Sequence, residues 1–279
     1  MGGRELKRER DPEMRVYTDL VRREIERVLP AIPAGAPVLD AGAGPGRYSL
    51  PLAARGYRVV HLDLSETMLQ VGRRQAARAG IDGVEFVAGS VDNLSFADRS
   101  FALVLCLDAP ISYVPDPRRA VAELARVARG RIILSVVSRS GQLPVGVRAE
   151  AWLGSHLRYS RRFWQTGCWE VPPALARAAR WVPGLTGRLF PPVVAFTPGE
   201  ISGLLSDTGC RVEKTMAPGS LARLVGRRAL RRILRHPILR EEFLALAAEF
   251  DCRPEILGLG ALRASGLLVV AIPEREVIG

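Results

Sequence analysis

The sequence has no apolar run that approaches the roughly 20 residues needed to cross a bilayer. No apolar signal core follows its charged start, MGGRELKRER, which predicts that the chain is not exported. The four cysteines are scattered and form no C-x-x-C pair, so we expect neither zinc ligands nor a disulfide framework. These absences predict a cytoplasmic protein with reduced thiols and no bound metal.

Lysine is nearly absent as well. Only Lys7 and Lys214 are lysines, so arginine supplies almost all of the basic charge behind a net charge of +11. Most of the basic excess lies in residues 140–235. Such an excess indicates either a surface for a polyanion or a composition bias of the source genome. The chain of 279 residues, with 48% hydrophobic and 25% charged residues, has the composition of a globular protein that can bury a sizeable core.

One stretch, Val38 to Leu64, organises the rest of the chain; it reads VLDAGAGPGRYSLPLAARGYRVVHLDL. It predicts a buried strand, a glycine loop, a helix, and a second strand that ends on Asp63. Three glycines in the loop allow the backbone to turn sharply and bring its amides close to a ligand. The pattern predicts half of a nucleotide-binding unit, with an acid where ribose hydroxyls would lie.

The spacing of the glycines separates two ligand classes. Dinucleotide sites use G-x-G-x-x-G and rest a pyrophosphate on a helix N-terminus. Here the loop reads D-A-G-A-G-P-G, with Asp40 two residues before the first glycine. An acid at that place repels pyrophosphate and suits the cationic amino end of an amino-acid ligand. The stretch resembles motif I, E/D-x-G-x-G-x-G, of the class I S-adenosylmethionine (SAM) dependent methyltransferases, and Asp63 matches their acidic ribose ligand.

The resemblance implies a set of cofactor contacts. Asp40 would meet the methionine amino group through the loop, Gly42 and Gly44 would pass close to the methionine part, and Asp63 would hold the ribose. The further cofactor contacts that it implies are Tyr17, Leu64, Val91, Asp92 and Leu107, with Met68 as an apolar neighbour of adenine. Ser90 departs from the family, which often has an acid there to bond the adenine amino group, whereas Asp92 keeps the later acidic position.

The downstream pattern extends the predicted fold. Further strands are expected at 84–88, 101–107 and 130–137, with helices at 13–29, 65–79 and 118–128. Strands alternating with helices predict an α/β, Rossmann-like doubly wound sheet with its ligand at the strands' carboxyl ends. A helix at 197–209, a sixth strand at 210–216 and a seventh near the end match the family's usual tail, in which the last strand is antiparallel.

Two segments exceed that plan and predict helical lid insertions after strand 5 and between strands 6 and 7. The predicted divisions are a SAM-binding core with an N-terminal helix (1–139), a lid insertion (140–196), a core continuation (197–217), a basic helical insertion (218–263) and the last strand (264–279). The second insertion is interrupted at Pro237 and predicts two helices, whose arginines indicate a solvated lid face, an RNA surface or a membrane-surface helix.

The site for methyl transfer is predicted from position. The loop that follows strand 4 resembles motif IV of small-molecule methyltransferases, which makes Asp108 the first choice for a general base and His156 the second. Tyr159, Cys168 and Glu170 are further titratable groups in the aromatic-rich first insertion, where each has a purely structural explanation too.

We therefore expect a SAM-dependent methyltransferase that acts on a small organic substrate. The alternatives are an RNA (tRNA) methyltransferase, a SAM-binding protein without catalysis and, disfavoured by the loop, a nicotinamide oxidoreductase. The sequence does not indicate an oligomeric state.

Overall fold

In the computed structural model, the described residues are 11–143, 147, 158–169, 193–259 and 266–274. The strands are β1 (Pro37–Ala41), β2 (Arg58–Asp63), β3 (Val84–Ala88), β4 (Phe101–Cys106), β5 (Ala128–Val137), β6 (Cys168–Trp169), β7 (Val193–Val194), β8 (Cys210–Met216) and β9 (Gly266–Pro273). The helices are α1 (Pro12–Val28), α2 (Ser49–Ala53), α3 (Glu66–Ala79), α4 (Pro117–Val127), α5 (Arg158–Thr166), α6 (Pro198–Asp207), α7 (Ser220–Val225), α8 (Arg227–Arg235), α9 (Pro237–Phe250) and α10 (Pro254–Leu259).

Seven strands form the main sheet in the order β3-β2-β1-β4-β5-β9-β8. The pairs from β3 to β5 are parallel, whereas β9 runs antiparallel to both β5 and β8. This arrangement confirms the predicted doubly wound sheet and its antiparallel last strand. Because β1 lies between β2 and β4, the carboxyl ends of these three strands meet at one edge of the sheet.

The sheet is covered on both faces by separate apolar layers. β4 is buried along its whole length, and its alternate side chains enter opposite layers. Leu103 and Leu105 pack in the layer that contains α1, α8 and α9. Val104 and Cys106 pack in the layer that contains α4 and α6. The continuous apolar run of β4 is therefore explained by burial on both sides.

Side-chain caps set the start of several helices. Asp11 accepts a hydrogen bond from the amide of Glu13 before α1, and Ser65 accepts one from Met68 before α3. Thr197 and Glu200 form a reciprocal capping box at α6. α3 ends on Gly80 in the left-handed conformation, as the sequence predicts.

The helices of the second insertion differ from their prediction. Three helices, α7 to α9, occupy 220–250 where two were expected, because the chain breaks at Gly226 (φ +85°) as well as before Pro237. They pack on α1, with Leu230, Leu234 and Phe243 in the shared core. The predicted two-helix arrangement is wrong, and the added break turns α8 against α1.

The first insertion is described in part. β6 and β7 form a separate antiparallel pair, which the sequence did not indicate. Arg139, at the end of β5, donates to Glu200 of α6 over 2.6 Å and to the carbonyls of Trp164 and Ala195. This buried guanidinium joins the base of the insertion to the main sheet.

Candidate functional site

A cleft of about 230 Å³ lies at the carboxyl ends of β1 and β4. Its lining residues are Asp40, Gly42, Ala43, Gly44, Pro45, Arg47, Tyr48, Met68, Leu107 and Asp108. Five of the residues predicted from the sequence, Asp40, Gly42, Gly44, Leu107 and Asp108, thus share one cleft, together with the predicted neighbour Met68. We call it the loop cleft.

Two glycines of the loop have different constraints. Gly42 has φ +77°, and a Cβ built on it would lie 2.5 Å from Cγ of Pro110, so its backbone packs against the segment after β4. Gly44 has φ +56°, and a Cβ there would meet no atom within 4 Å. Gly42 is required by close packing, whereas Gly44 leaves its side of the loop open to a ligand.

Asp63 closes one end of the loop. Its Oδ2 accepts a hydrogen bond from the amide of Gly44 over 2.8 Å, and its Oδ1 accepts one from the amide of Ser65 over 2.8 Å. The carboxylate that the sequence assigned to a ribose is therefore fixed beside the glycine loop by backbone donors.

His61 supports the loop from beneath and was not singled out from the sequence. It is fully buried on β2, with Nε2 3.1 Å from the carbonyl oxygen of Gly44 and Nδ1 2.7 Å from Oγ of Ser49. A carbonyl can only accept, so Nε2 carries the proton. Burial lowers the pKa of His61, so that the neutral ring accepts from Ser49 at Nδ1. Its one indication in the sequence is a histidine within the otherwise apolar run VVHL that precedes Asp63.

Asp40 gives the cleft its electrostatic character. Burial, aided by the nearby carboxylates of Asp108 and Asp63, raises the pKa of Asp40 to about 7, although the backbone amide of Ser49 donates a hydrogen bond to its carboxylate. Its Oδ2 is buried without a hydrogen-bond partner among the described residues. Three carboxyl groups around one small cleft favour a ligand with positive charge, and a cation beside Asp40 would keep it ionised.

Tyr48 presents a second buried polar group to the same cleft. Its hydroxyl has no hydrogen-bond partner within the described part of the chain, and burial raises the pKa of the phenol well above its ordinary value. A neutral hydroxyl can donate to an anionic group and accept from a cationic one. Asp40 and Tyr48 together offer the polar partners that an amino acid would need.

Asp108 lies two residues after the end of β4, in a strained backbone conformation. Both Asp108 (φ +63°) and Ala109 (φ +66°) are left-handed, a backbone state that is uncommon outside glycine and concentrated at functional sites. Ser135 accepts a hydrogen bond from the amide of Ala109, which helps to hold this turn. Arg47 Nε lies 4.0 Å from Asp108 Oδ2.

The other predicted cofactor contacts lie around the loop cleft and do not line it. Tyr17 is buried in the core between α1 and the sheet, and Val91 is buried in the opposite layer. Leu64 is 76% exposed beyond the end of β2. Asp92 accepts a hydrogen bond from the hydroxyl of Ser90, the residue that departs from the family pattern.

Most of the predicted proton acceptors of the first insertion cannot be placed. His156 and Glu170 lie outside the described residues, as does the side chain of Tyr159. Cys168 is exposed and lines a different cleft of about 500 Å³, together with Arg139 and Glu200. Of the two residues predicted as bases, Asp108 is the one that the described structure places at the loop cleft.

A basic cleft of about 290 Å³ adjoins the loop cleft. It is lined by Met14, Arg15, Thr18, Asp19, Arg22, Arg47 and Arg240. Arg47 lines both clefts, and Arg240 of α9 pairs with Asp19 of α1 over 2.9 Å. This cleft, built from α1 and the second insertion, was not anticipated from the sequence because it depends on how α9 packs.

Two absences hold within the described residues. They contain no group of three or more histidine, cysteine, aspartate or glutamate side chains that could hold a metal ion. None of the helices they form is both long and apolar enough to cross a membrane.

Part of the chain matches a protein family and individual curated proteins in sequence. Residues 38–130 match the family described as "Methyltransferase domain". A demethylmenaquinone methyltransferase of Clavibacter sepedonicus is 45% identical over 103 residues, which are 36% of this chain and 41% of that protein. A ubiquinone biosynthesis O-methyltransferase of Hahella chejuensis is 34% identical over 109 residues, 38% of this chain and 45% of that protein. This chain thus spans less than half the length of these curated relatives.

The fold matches a solved structure over more of the chain than the sequence matches its relatives. The magnesium protoporphyrin IX methyltransferase of Synechocystis PCC 6803, solved with bound SAH (S-adenosylhomocysteine), superposes with a TM-score of 0.54 at 17% identity and covers 94% of this chain and 86% of that one. At this identity the likeness shows a shared fold. All the residues that line the loop cleft lie within residues 38–130, the part of the chain that matches the family.

Proposed function

Since residues 38–130 belong to the methyltransferase-domain family and the chain has the class I methyltransferase fold, we propose that it binds SAM in the loop cleft and transfers the methyl group to a small organic acceptor. One observation carries the proposal. Asp40, Gly44 and Asp63 are brought together by the loop and β2, and they offer a buried acid, an open backbone and a fixed carboxylate.

These residues fit the chemical parts of SAM. Asp40, with an unsatisfied buried oxygen, suits the ammonium group, and the hydroxyl of Tyr48 suits the methionine carboxylate. Asp63 retains acceptor capacity for the ribose hydroxyls beyond its two backbone hydrogen bonds. We assign Leu64, Met68, Val91 and Asp92 to the adenine side, with Tyr17 behind the site.

When bound, SAM supplies an activated methyl group on a sulfonium sulfur. The protein's share of the reaction is to hold an acceptor nucleophile in line with that methyl group and to exclude water. Asp108 is proposed to accept the proton of the acceptor, because its carboxylate lines the loop cleft beside Arg47. Its left-handed backbone fixes the carboxylate at the end of β4.

The acceptor is proposed to enter through the basic cleft. Arg15, Arg22 and Arg47 line it, and nearby positive charge lowers the pKa of an acidic hydroxyl. A phenol or a hydroquinone would thus be bound closer to its reactive anion. The names of the two curated relatives, which refer to menaquinone and ubiquinone, support an acceptor of this class.

Isothermal titration with SAH tests the cofactor, with NAD and FAD as controls. We expect micromolar binding of SAH alone, and binding of NAD in its place would overturn the assignment. Transfer of a labelled methyl group is then measured with a panel of hydroxylated naphthoquinones and benzoquinones, with tRNA as the competing acceptor.

The variant Asp108→Asn separates binding from chemistry. Asparagine tolerates a left-handed backbone, so the fold and the affinity for SAH are expected to stay within about threefold of the parent. Methyl transfer should fall by about 100-fold or more if Asp108 accepts the proton. Unchanged transfer would remove Asp108 from that role and leave the cofactor assignment intact.

A further inference from the structure

Helix α8 presents four exposed arginines in one row: Arg228, Arg231, Arg232 and Arg235. Their spacing of three, four and seven residues places them on one face of the helix. The opposite face holds Leu230 and Leu234, which are buried against α1. We call these four residues the arginine row.

The row differs in its ion pairs from other arginines of the same insertion. Arg227 pairs with Asp11 and Glu13, and Arg240 pairs with Asp19, so these two arginines join the insertion to α1. No member of the row forms an ion pair with any residue that the structure describes. Like charges three and four residues apart destabilise a helix, so an anionic partner would relieve a repulsion built into α8.

Apolar side chains continue the same surface. Leu239, 44% exposed, lines a shallow depression with the row and His236, and its neighbour Ile238 is 65% exposed. Both lie in the first turn of α9, directly after the row in the chain. Exposed aliphatic side chains beside arginines are typical of a membrane-surface helix. The aliphatic side chains of such a helix enter the boundary between the headgroups and the acyl chains.

The surroundings favour a lipid surface over RNA. Binding of single-stranded RNA relies on exposed aromatic rings for stacking. Within the described residues 220–257 the aromatic side chains besides His236 are Phe243, which is buried, and Phe250, which is half-buried. From the unpaired row and the exposed Ile238 and Leu239, we infer that this face docks on an anionic lipid bilayer.

This inference adds a location to the proposed function without depending on it. α8 and α9 pack on α1, and Arg240 of α9 lines the basic cleft that we assign to the acceptor. Docking would therefore take place on the same helices that form that cleft. An acceptor dissolved in the bilayer would gain a short path to the site.

Vesicle co-sedimentation of the full chain tests the docking face. Vesicles of phosphatidylcholine with about one third phosphatidylglycerol are compared with phosphatidylcholine alone, from about 50 mM to about 300 mM salt. We expect binding to the anionic vesicles only, with a loss of at least about tenfold in affinity across that salt range.

Two pairs of variants make the test specific. Replacement of all four arginines of the row by glutamine should weaken vesicle binding by about tenfold or more. The control replaces four exposed arginines elsewhere, Arg74, Arg78, Arg129 and Arg211, and should retain most of the binding although its net charge is the same. Ile238→Ser should weaken binding by about threefold, whereas Leu246→Ser, at another exposed leucine of α9, should not.

Three results would overturn the inference: equal binding to neutral vesicles, unchanged binding of the row variant, or tighter binding of a structured RNA than of anionic vesicles through the same four arginines. SAH titration of the row variant is expected to match the parent. If the row variant fails to bind SAH while the parent binds it, the variant is misfolded. If the parent itself fails to bind SAH, that result counts against the proposed function alone.

Discussion

The backbone amide of Gly44 donates to Oδ2 of Asp63 over 2.8 Å, which ties the glycine loop to the carboxyl end of β2. Ser65 donates to the other oxygen of the same carboxylate. Each oxygen keeps acceptor capacity, so Asp63 is held in place by the backbone and can still accept hydrogen bonds from a ligand. Loop geometry and ligand binding are therefore linked through one side chain.

Asp63→Ala is expected to raise the dissociation constant of SAH by about 100-fold or more. In the proposed complex the variant removes two charge-assisted hydrogen bonds to ribose, worth about 1.5–3 kcal/mol each, and it leaves the amide of Gly44 without its acceptor. Isothermal titration measures the change. Asp82→Ala, at an exposed acid before β3, serves as the matched control and should bind like the parent. Equal affinities of the two variants would show that Asp63 does not hold the ribose.

The sequence predicted the part of this site that a single local pattern contains. Asp40, the loop glycines and Asp63 follow from strand, loop, helix and strand in one continuous stretch, and the sheet confirms that order. Strand periodicity does not identify His61, because its role depends on Ser49 and Gly44 meeting it in space. The position of His61 below the loop follows only once the pairing of β2 with β1 is known.

Other features depend on contacts between distant segments. The basic cleft requires α9 to lie along α1, and the sequence offered only charge and periodicity for both helices. The break at Gly226 was missed because leucine spacing continued across it. A glycine with φ +85° between two short helices is visible in the backbone and not in the hydrophobic pattern.

Gly44→Ala is expected to abolish detectable SAH binding with little loss of stability. A Cβ at this position meets no protein atom within 4 Å, so the structural cost is the left-handed conformation alone, about 1–2 kcal/mol. The added methyl group would occupy the open side of the loop. Gly42→Ala is the contrasting variant, because its Cβ would collide with Pro110 and should cost more stability. Tight SAH binding by Gly44→Ala would mean that the ligand does not approach the loop there.

Asp40→Asn is expected to change the pH dependence of stability. The pKa of Asp40 is raised by burial to about 7, above its ordinary 3.8, so the folded state holds this proton more tightly than the unfolded state does. The contribution of Asp40 to stability therefore falls as pH rises from about 4 through 7. The free energy of unfolding of the variant, relative to that of the parent, should therefore rise by about 2–3 kcal/mol between pH 5 and pH 8.

Urea unfolding of both proteins at pH 5 and pH 8 measures this change. If the free energies of unfolding of parent and variant differ by the same amount at both pH values, the prediction is wrong. The same ionisation predicts how the parent binds its ligand. Because the ionised carboxylate favours an ammonium group, the affinity for SAH should rise as pH increases through about 7. The variant should bind SAH weakly at both pH values.

Asp251 joins the helices of the second insertion to the segment that follows β8. It is completely buried, and its two carboxylate oxygens accept hydrogen bonds from the amides of Gly219 and Leu221 over 2.8 and 3.0 Å. Its backbone carbonyl oxygen accepts another from the amide of Ala217. Asp251→Ala leaves two amides without acceptors and should lower the free energy of unfolding by about 2–4 kcal/mol. Asp251→Asn keeps one acceptor and should lose about half as much.

Tryptophan fluorescence in urea measures these losses, with the exposed Asp207→Ala as the control that should stay within about 0.5 kcal/mol of the parent. SAH binding by Asp251→Ala should remain within about threefold of the parent at low temperature, because Asp251 does not line the loop cleft. A stable Asp251→Ala variant would show that packing on α1 alone holds α7 to α9. A large loss of stability with retained SAH binding would instead show that these helices are anchored through one carboxylate, separately from the loop cleft.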